Sequence, residues 1–140
     1  MKTILIIALL LSGLNADFTK NENGVIHDDT TNLEWSDNSL LPVRRWEGAI
    51  KYCKNFVLDE KEDWRLPNTN EIETIIDRGR QPMIKSIFTE IIHHNYWLST
   101  TTLLDKKNAY IVFLNSGEIM PEPQHIKKAT SNHFVCVRGG

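Results

Sequence analysis

The chain has 140 residues, 16 basic and 18 acidic side chains and two cysteines. That length suits one domain with a real but modest core. The slight acidity gives no reason to expect a nucleic-acid partner. Neither cysteine has a second one within a few residues, so a cysteine-based metal site is not expected.

Residues Met1–Ala16 read as a secretory signal peptide. Lys2 is the only charge, Ile4–Leu11 is an unbroken apolar run, and Ala16 offers a small residue before the cut. A transmembrane anchor needs about 20 apolar residues, roughly twice this run. No cysteine follows the run, so a lipoprotein anchor is unsupported; a buried N-terminal strand is the alternative. Residues 17–140 are then expected to form one mature domain, periplasmic or secreted, with no transmembrane segment.

Val25-Ile26-His27-Asp28 and Leu33-Glu34-Trp35 are short strand candidates, with Asp29-Thr30-Thr31-Asn32 turning between them. Trp46, Ala49, Ile50, Cys53 and Val57 recur at helical spacing, which predicts an amphipathic helix from about Arg45 to Phe56. Pro67 keeps Leu66 extended. Asn68 begins a second helix, with Glu71 three positions on in a near capping box and a stop near Arg78-Gly79. Ile84, Ile87, Phe88, Ile91 and Ile92 suit a further short helix. Tyr96–Thr101, Ala109–Leu114, Glu118–Met120 and His133–Arg138 read as strands, with Asn115-Ser116-Gly117 as a hairpin turn. The pattern describes an α+β domain: two helices packed on a small antiparallel sheet with long loops.

In an oxidising compartment, Cys53 and Cys136 can form one bridge only. Two free buried thiols are the alternative. Charge is spread unevenly: Asp17–Ile76 carries 13 acids and 7 bases, whereas Asp77–Gly140 carries 5 acids and 8 bases. Such a chain can present a basic face to a polyanion despite its acidic total; a mixed surface is the alternative.

One ordered set of motifs spans nearly the whole mature chain. It runs from Leu33-Glu34-Trp35-Ser36 and Trp46-Glu47-Gly48-Ala49-Ile50-Lys51-Tyr52-Cys53 to Asp63-Trp64-Arg65-Leu66-Pro67-Asn68. It continues through Tyr96-Trp97-Leu98-Ser99-Thr100-Thr101 and Ala109-Tyr110-Ile111-Val112-Phe113 to Val135-Cys136-Val137-Arg138-Gly139-Gly140. This set resembles the bacterial exported domains named after the C-terminal domain of the Legionella collagen-like adhesins. The resemblance implies a C-type-lectin-like fold with its termini close together and a bridge from the first helix to the last strand. It also implies ligand binding, since the adhesins are thought to engage sulfated polysaccharides.

Calcium-dependent sugar binding is not expected. Gln81-Pro82-Met83 and Trp97-Leu98-Ser99 stand where sugar-binding lectins of that fold carry oxygen-rich triplets, and calcium wants six to eight oxygens. Trp35, Trp46, Trp64 and Trp97 are expected in the core rather than on a sugar-stacking platform. Arg65, between Trp64 and Leu66 near Pro67, is expected to anchor a loop. His93-His94, with His125 or His133, invites a metal reading, but an exposed loop pair fits better. Ser99, Thr100 and Thr101 lack a recognisable base partner, and no catalytic motif occurs. Formylglycine-generating oxidases share the lectin-like fold but use a reactive cysteine pair, and both cysteines here look structural. No enzyme activity, cofactor or metal is expected.

The remaining candidates are cations. Arg78 and Arg80, Lys106 and Lys107, and His125, Lys127 and Lys128 fall in loops of the C-terminal half. On one face they would hold sulfates or phosphates through charge-assisted bonds; solvated surface cations are the alternative. The function expected is a non-enzymatic binding module for a glycan, polyanion or protein ligand. A structural or assembly component of an envelope complex is the second reading.

Overall fold

The computed structural model describes residues 18–38, 41–101, 108–121 and 131–140. Strand β1 (Phe18–Lys20) pairs antiparallel with β2 (Val25–Asp28), and β2 with β3 (Leu33–Ser36). The β2–β3 turn falls where expected. Asp28 accepts from Thr30 N and Thr31 Oγ1, while Asn32 adopts φ 61°, a conformation asparagine tolerates. Helices α1 (Trp46–Asn55) and α2 (Thr69–Glu73) follow. Then come β4 (Asn95–Thr101), β5 (Ala109–Phe113), β6 (Glu118–Pro121) and β7 (Val137–Gly139).

β7 returns to pair with β3, so one sheet runs β1-β2-β3-β7 and holds both the first and the last described strands. The other runs β4-β5-β6. The class is α+β, with two antiparallel sheets where the sequence led us to expect a single small one.

Period-two alternation explains why β4 and β5 of the second sheet are buried on both sides, while β6 stays largely exposed. Trp97 of β4 and Ala109 and Ile111 of β5 join a cluster with Ala49 and Cys53 of α1. Tyr96 and Leu98 of β4 and Val112 of β5 point the other way, into a cluster with Trp35, Ile72 and Phe88. The sheet is therefore the partition between two halves of the core.

α1 matches expectation to within a residue at each end. α2 has the full capping box: Asn68 accepts from Glu71 N, and the Glu71 side chain accepts from Asn68 N. It stops at Glu73, well short of Arg78-Gly79. Ile75 N and Ile76 N bond to carbonyls three residues back, and Ile76 then bridges Ile84. The helix expected over Ile84–Ile92 does not form. Lys85 N instead bonds Ile75 O, yet Ile84, Phe88 and Ile91 are still buried; irregular backbone satisfies the apolar spacing.

The strand expected over His133–Arg138 is regular only from Val137. The residues before it pair one by one with different elements: Asn132 with Arg44, His133 O with Trp97 N, Cys136 with Ser36. No single ladder can form there. The Cys53–Cys136 disulfide fastens this seam to α1 across 83 residues. Among the described residues, no helix is long and apolar enough to cross a membrane.

Candidate functional site

Lys106, Lys107, His125, Lys127 and Lys128 lie outside the described residues, but the strands that launch them do not. In the second sheet Thr101 pairs with Ala109, and Tyr110 with Pro121. The end of β4, the start of β5 and the end of β6 therefore share one edge of the sheet. Both lysine-bearing segments, 102–107 and 122–130, begin from that edge.

Arg78 and Arg80 are placed elsewhere. At the opposite end of the sheet Phe113 faces Glu118, and the turn between them is tied to the Arg78–Met83 loop. Arg78 Nη2 donates to Gly117 O at 3.0 Å, Gln81 Nε2 to Asn115 O at 3.1 Å, and Met83 N to Leu114 O at 2.7 Å. Gly117 has φ 75°, and a Cβ there would lie 3.2 Å from the Arg78 guanidinium, so glycine is required for this contact. Arg78 is also in a forked ion pair with Glu73, which raises its already high pKa. Arg80 donates to Ile84 O. Both arginines remain exposed, but their first partners are within the chain.

Four of the six signature residues are set deep, whereas Trp46 is half-buried against the α1 cluster and Arg65 is exposed. Trp35, Trp64 and Trp97 are buried, as is Pro67, whose carbonyl accepts Ser99 N. The indole N–H groups of Trp46, Trp64 and Trp97 donate to Leu98 O, Lys61 O and Arg44 O at 2.8–2.9 Å; that of Trp35 has no acceptor among the described residues. Arg65 forks onto both Glu71 oxygens at 2.7 and 2.8 Å and reaches Gly139 O at 3.1 Å. One carboxylate thus caps α2 and, through Arg65, holds the C-terminus. Burial pushes the Glu71 carboxyl up, but the bonds from Arg65 and Asn68 N outweigh it and leave the pKa lowered.

The model of the Lcl C-terminal domain matches residues 24–138, most of the chain. The chain belongs to the Lcl C-terminal domain family. No match was found among curated proteins. The family span contains the disulfide, every signature residue and all the candidate cations; β1 lies before it.

A further surface within the family domain escaped the sequence reading. A groove of about 420 Å³ follows α1, lined by Arg44, Lys51, Tyr52, Asn55, Phe56 and Val57. Arg45, Lys51 and Lys54 are exposed and make no ion pair among the described residues. By contrast Lys20, Lys61, Arg65, Arg78 and Arg138 all pair with carboxylates. These cations were masked because they sit in the acidic half, whose sum hides a local cluster. The legible signal was Arg44-Arg45 followed by Lys51 and Lys54 along one predicted helix.

His93 and His94 are exposed, as expected of a loop pair. His93 also stacks on His133, centroids 3.7 Å apart, beside a cleft of about 180 Å³. Burial, then the neighbouring His93, lowers the His133 pKa, and burial pushes the Tyr96 phenol up to about 12. Among the described residues, no group of three His, Cys, Asp or Glu side chains converges as a metal site.

Proposed function

We propose that this chain is an exported, non-enzymatic binding module of C-type-lectin-like fold that engages a polyanionic glycan through loops of its C-terminal half. Two features favour the lectin-like reading: a disulfide from the first described helix to the last strand's approach, and first and last described strands in one sheet.

One observation carries the ligand assignment. The segments bearing Lys106 and Lys107, and His125, Lys127 and Lys128, leave the same edge of the second sheet. Cations tethered to one edge can act on one anion, whereas cations scattered over the surface cannot. Arg78 and Arg80, at the other end and already bonded, contribute less. Calcium has no part in this reading, since Trp97 and Leu98 of the relevant triplet are fully buried.

Retention of the mature, oxidised domain on a heparin-like matrix tests the assignment. Binding should fall steeply with salt and vanish when Lys106, Lys107, Lys127 and Lys128 are neutralised together, while calcium chelation changes nothing. Wild-type protein that ignores the matrix at low salt rejects the polyanion ligand. A role in envelope assembly is the second reading, supported by the exposed Val43 and Val57 beside α1.

A further inference from the structure

We infer that the groove along α1 is a docking site for an acidic segment of a partner protein, one that inserts an apolar side chain between carboxylates. This surface uses other residues than the polyanion edge and stands whether or not that reading holds.

The groove has an apolar lining and a cationic rim. Phe56 is half-buried in it, Val57 is 58% exposed at its end, and Val43 is 42% exposed nearby. Arg44 and Lys51 line it, Arg45 and Lys54 sit at the cap and last turn of the same helix, and Glu47 is that helix's one acidic residue. Exposed valines gain nothing from a polysaccharide, whereas an apolar side chain would cover them. Tyr52 is unsuited to sugar stacking: Arg44 lies over its ring at 5.9 Å, and Phe134 packs against it edge-on at 5.5 Å. An anchor plus carboxylates satisfies both the lining and the rim; a sulfated chain satisfies the rim alone.

Two local choices disfavour the helix and shape this face. Arg45 is the N-cap yet makes no side-chain cap bond, and its charge opposes the helix dipole. Gly48 stands inside the helix, where alanine would be favoured by about 1 kcal/mol. Gly48 lines the groove, and a Cβ there would meet the Arg44 side chain at an ordinary contact distance of 3.6 Å, so it is a side chain larger than alanine's that would reach into the groove. The chain cannot fill the groove with an acidic segment of its own from outside the described residues. Each such segment carries at most one acidic residue: Asp17, Asp105 or Glu122.

The test is selection of a displayed random-peptide library on the oxidised domain, with counter-selection on Lys51→Glu/Val57→Asp. Surviving peptides should be net acidic and carry a large apolar residue. Synthetic copies should bind wild type at least about tenfold more tightly than Gly48→Leu, which fills the groove without altering charge. Neutralising Lys106, Lys107, Lys127 and Lys128 should leave peptide binding intact, which separates this site from the polyanion edge. Melting curves check that the variants fold. Four results overturn the inference: survivors without acidic enrichment, equal binding to Gly48→Leu, heparin fragments that displace the peptides, or a wild-type dimer that Lys51→Glu/Val57→Asp abolishes.

Discussion

Ser36 and Cys136 hold each other through one residue's worth of hydrogen bonds. Ser36 N donates to Cys136 O at 2.9 Å, Cys136 N donates to Ser36 Oγ at 2.9 Å, and Ser36 Oγ lies 3.1 Å from Cys136 O. Both residues are fully buried. The serine hydroxyl therefore does what another strand would do, and the chain can pass from one sheet to the other here.

Ser36→Ala should leave Cys136 N–H buried without its acceptor. Such an orphan costs about 1–3 kcal/mol, readable as a lower denaturant midpoint with the disulfide intact. A variant as stable as wild type would mean that the seam has another acceptor.

Trp64→Ala should damage folding rather than binding. The ring is buried in the α1 cluster, packs edge-on against Phe56 at 5.7 Å and donates to Lys61 O. Truncating a core aromatic costs about 3–5 kcal/mol. If the variant melts with wild type, the ring is not a core member.

Acid should weaken the fold through Glu71 and Glu34. Burial raises each carboxyl, but Arg65 at Glu71, and Arg138 and Lys61 at Glu34, leave both below the ordinary 4.5. The unfolded chain then takes up protons first. Stability from these pairs is complete above the ordinary carboxylate value and is lost as pH falls through the lowered ones. Melting temperature should decline below about pH 4.5, and less steeply in Glu71→Gln. An unchanged slope in that variant would remove Glu71 from the acid response.

Arg45→Ser should stabilise the domain. A serine N-cap can accept from the first turn's free N–H groups, and the opposing charge disappears; the gain is about 0.5–2 kcal/mol. Acidic peptides should bind the variant less tightly. A loss of stability would show that Arg45 has a structural partner.

Much of this fold was legible because local chemistry fixed it. Asn68 and Glu71 announce a capping box whatever follows, and Ala49 and Cys53 mark the buried stripe of α1. Where tertiary partners decide, the sequence misled. Ile75 and Ile76 look like more helix, but their backbone serves Lys85 and Ile84. His133–Cys136 has strand composition, yet each residue answers to a different element. β1 is a three-residue edge strand and left no periodic signal. The candidate surfaces were hardest to read, because charge sums over half-chains cannot see that Thr101 and Pro121 share a sheet edge or that Arg44, Arg45, Lys51 and Lys54 cluster at and along one helix.

The most direct measurement is amide shift mapping of the isotope-labelled, oxidised domain during titration with a heparin oligosaccharide at low salt. A polyanion-binding edge should move Thr101, Ala109 and Tyr110 together with the amides of 102–107 and 122–130, and added salt should reverse the shifts. Unmoved amides, or shifts confined to the Asn115–Gly117 end, would contradict it.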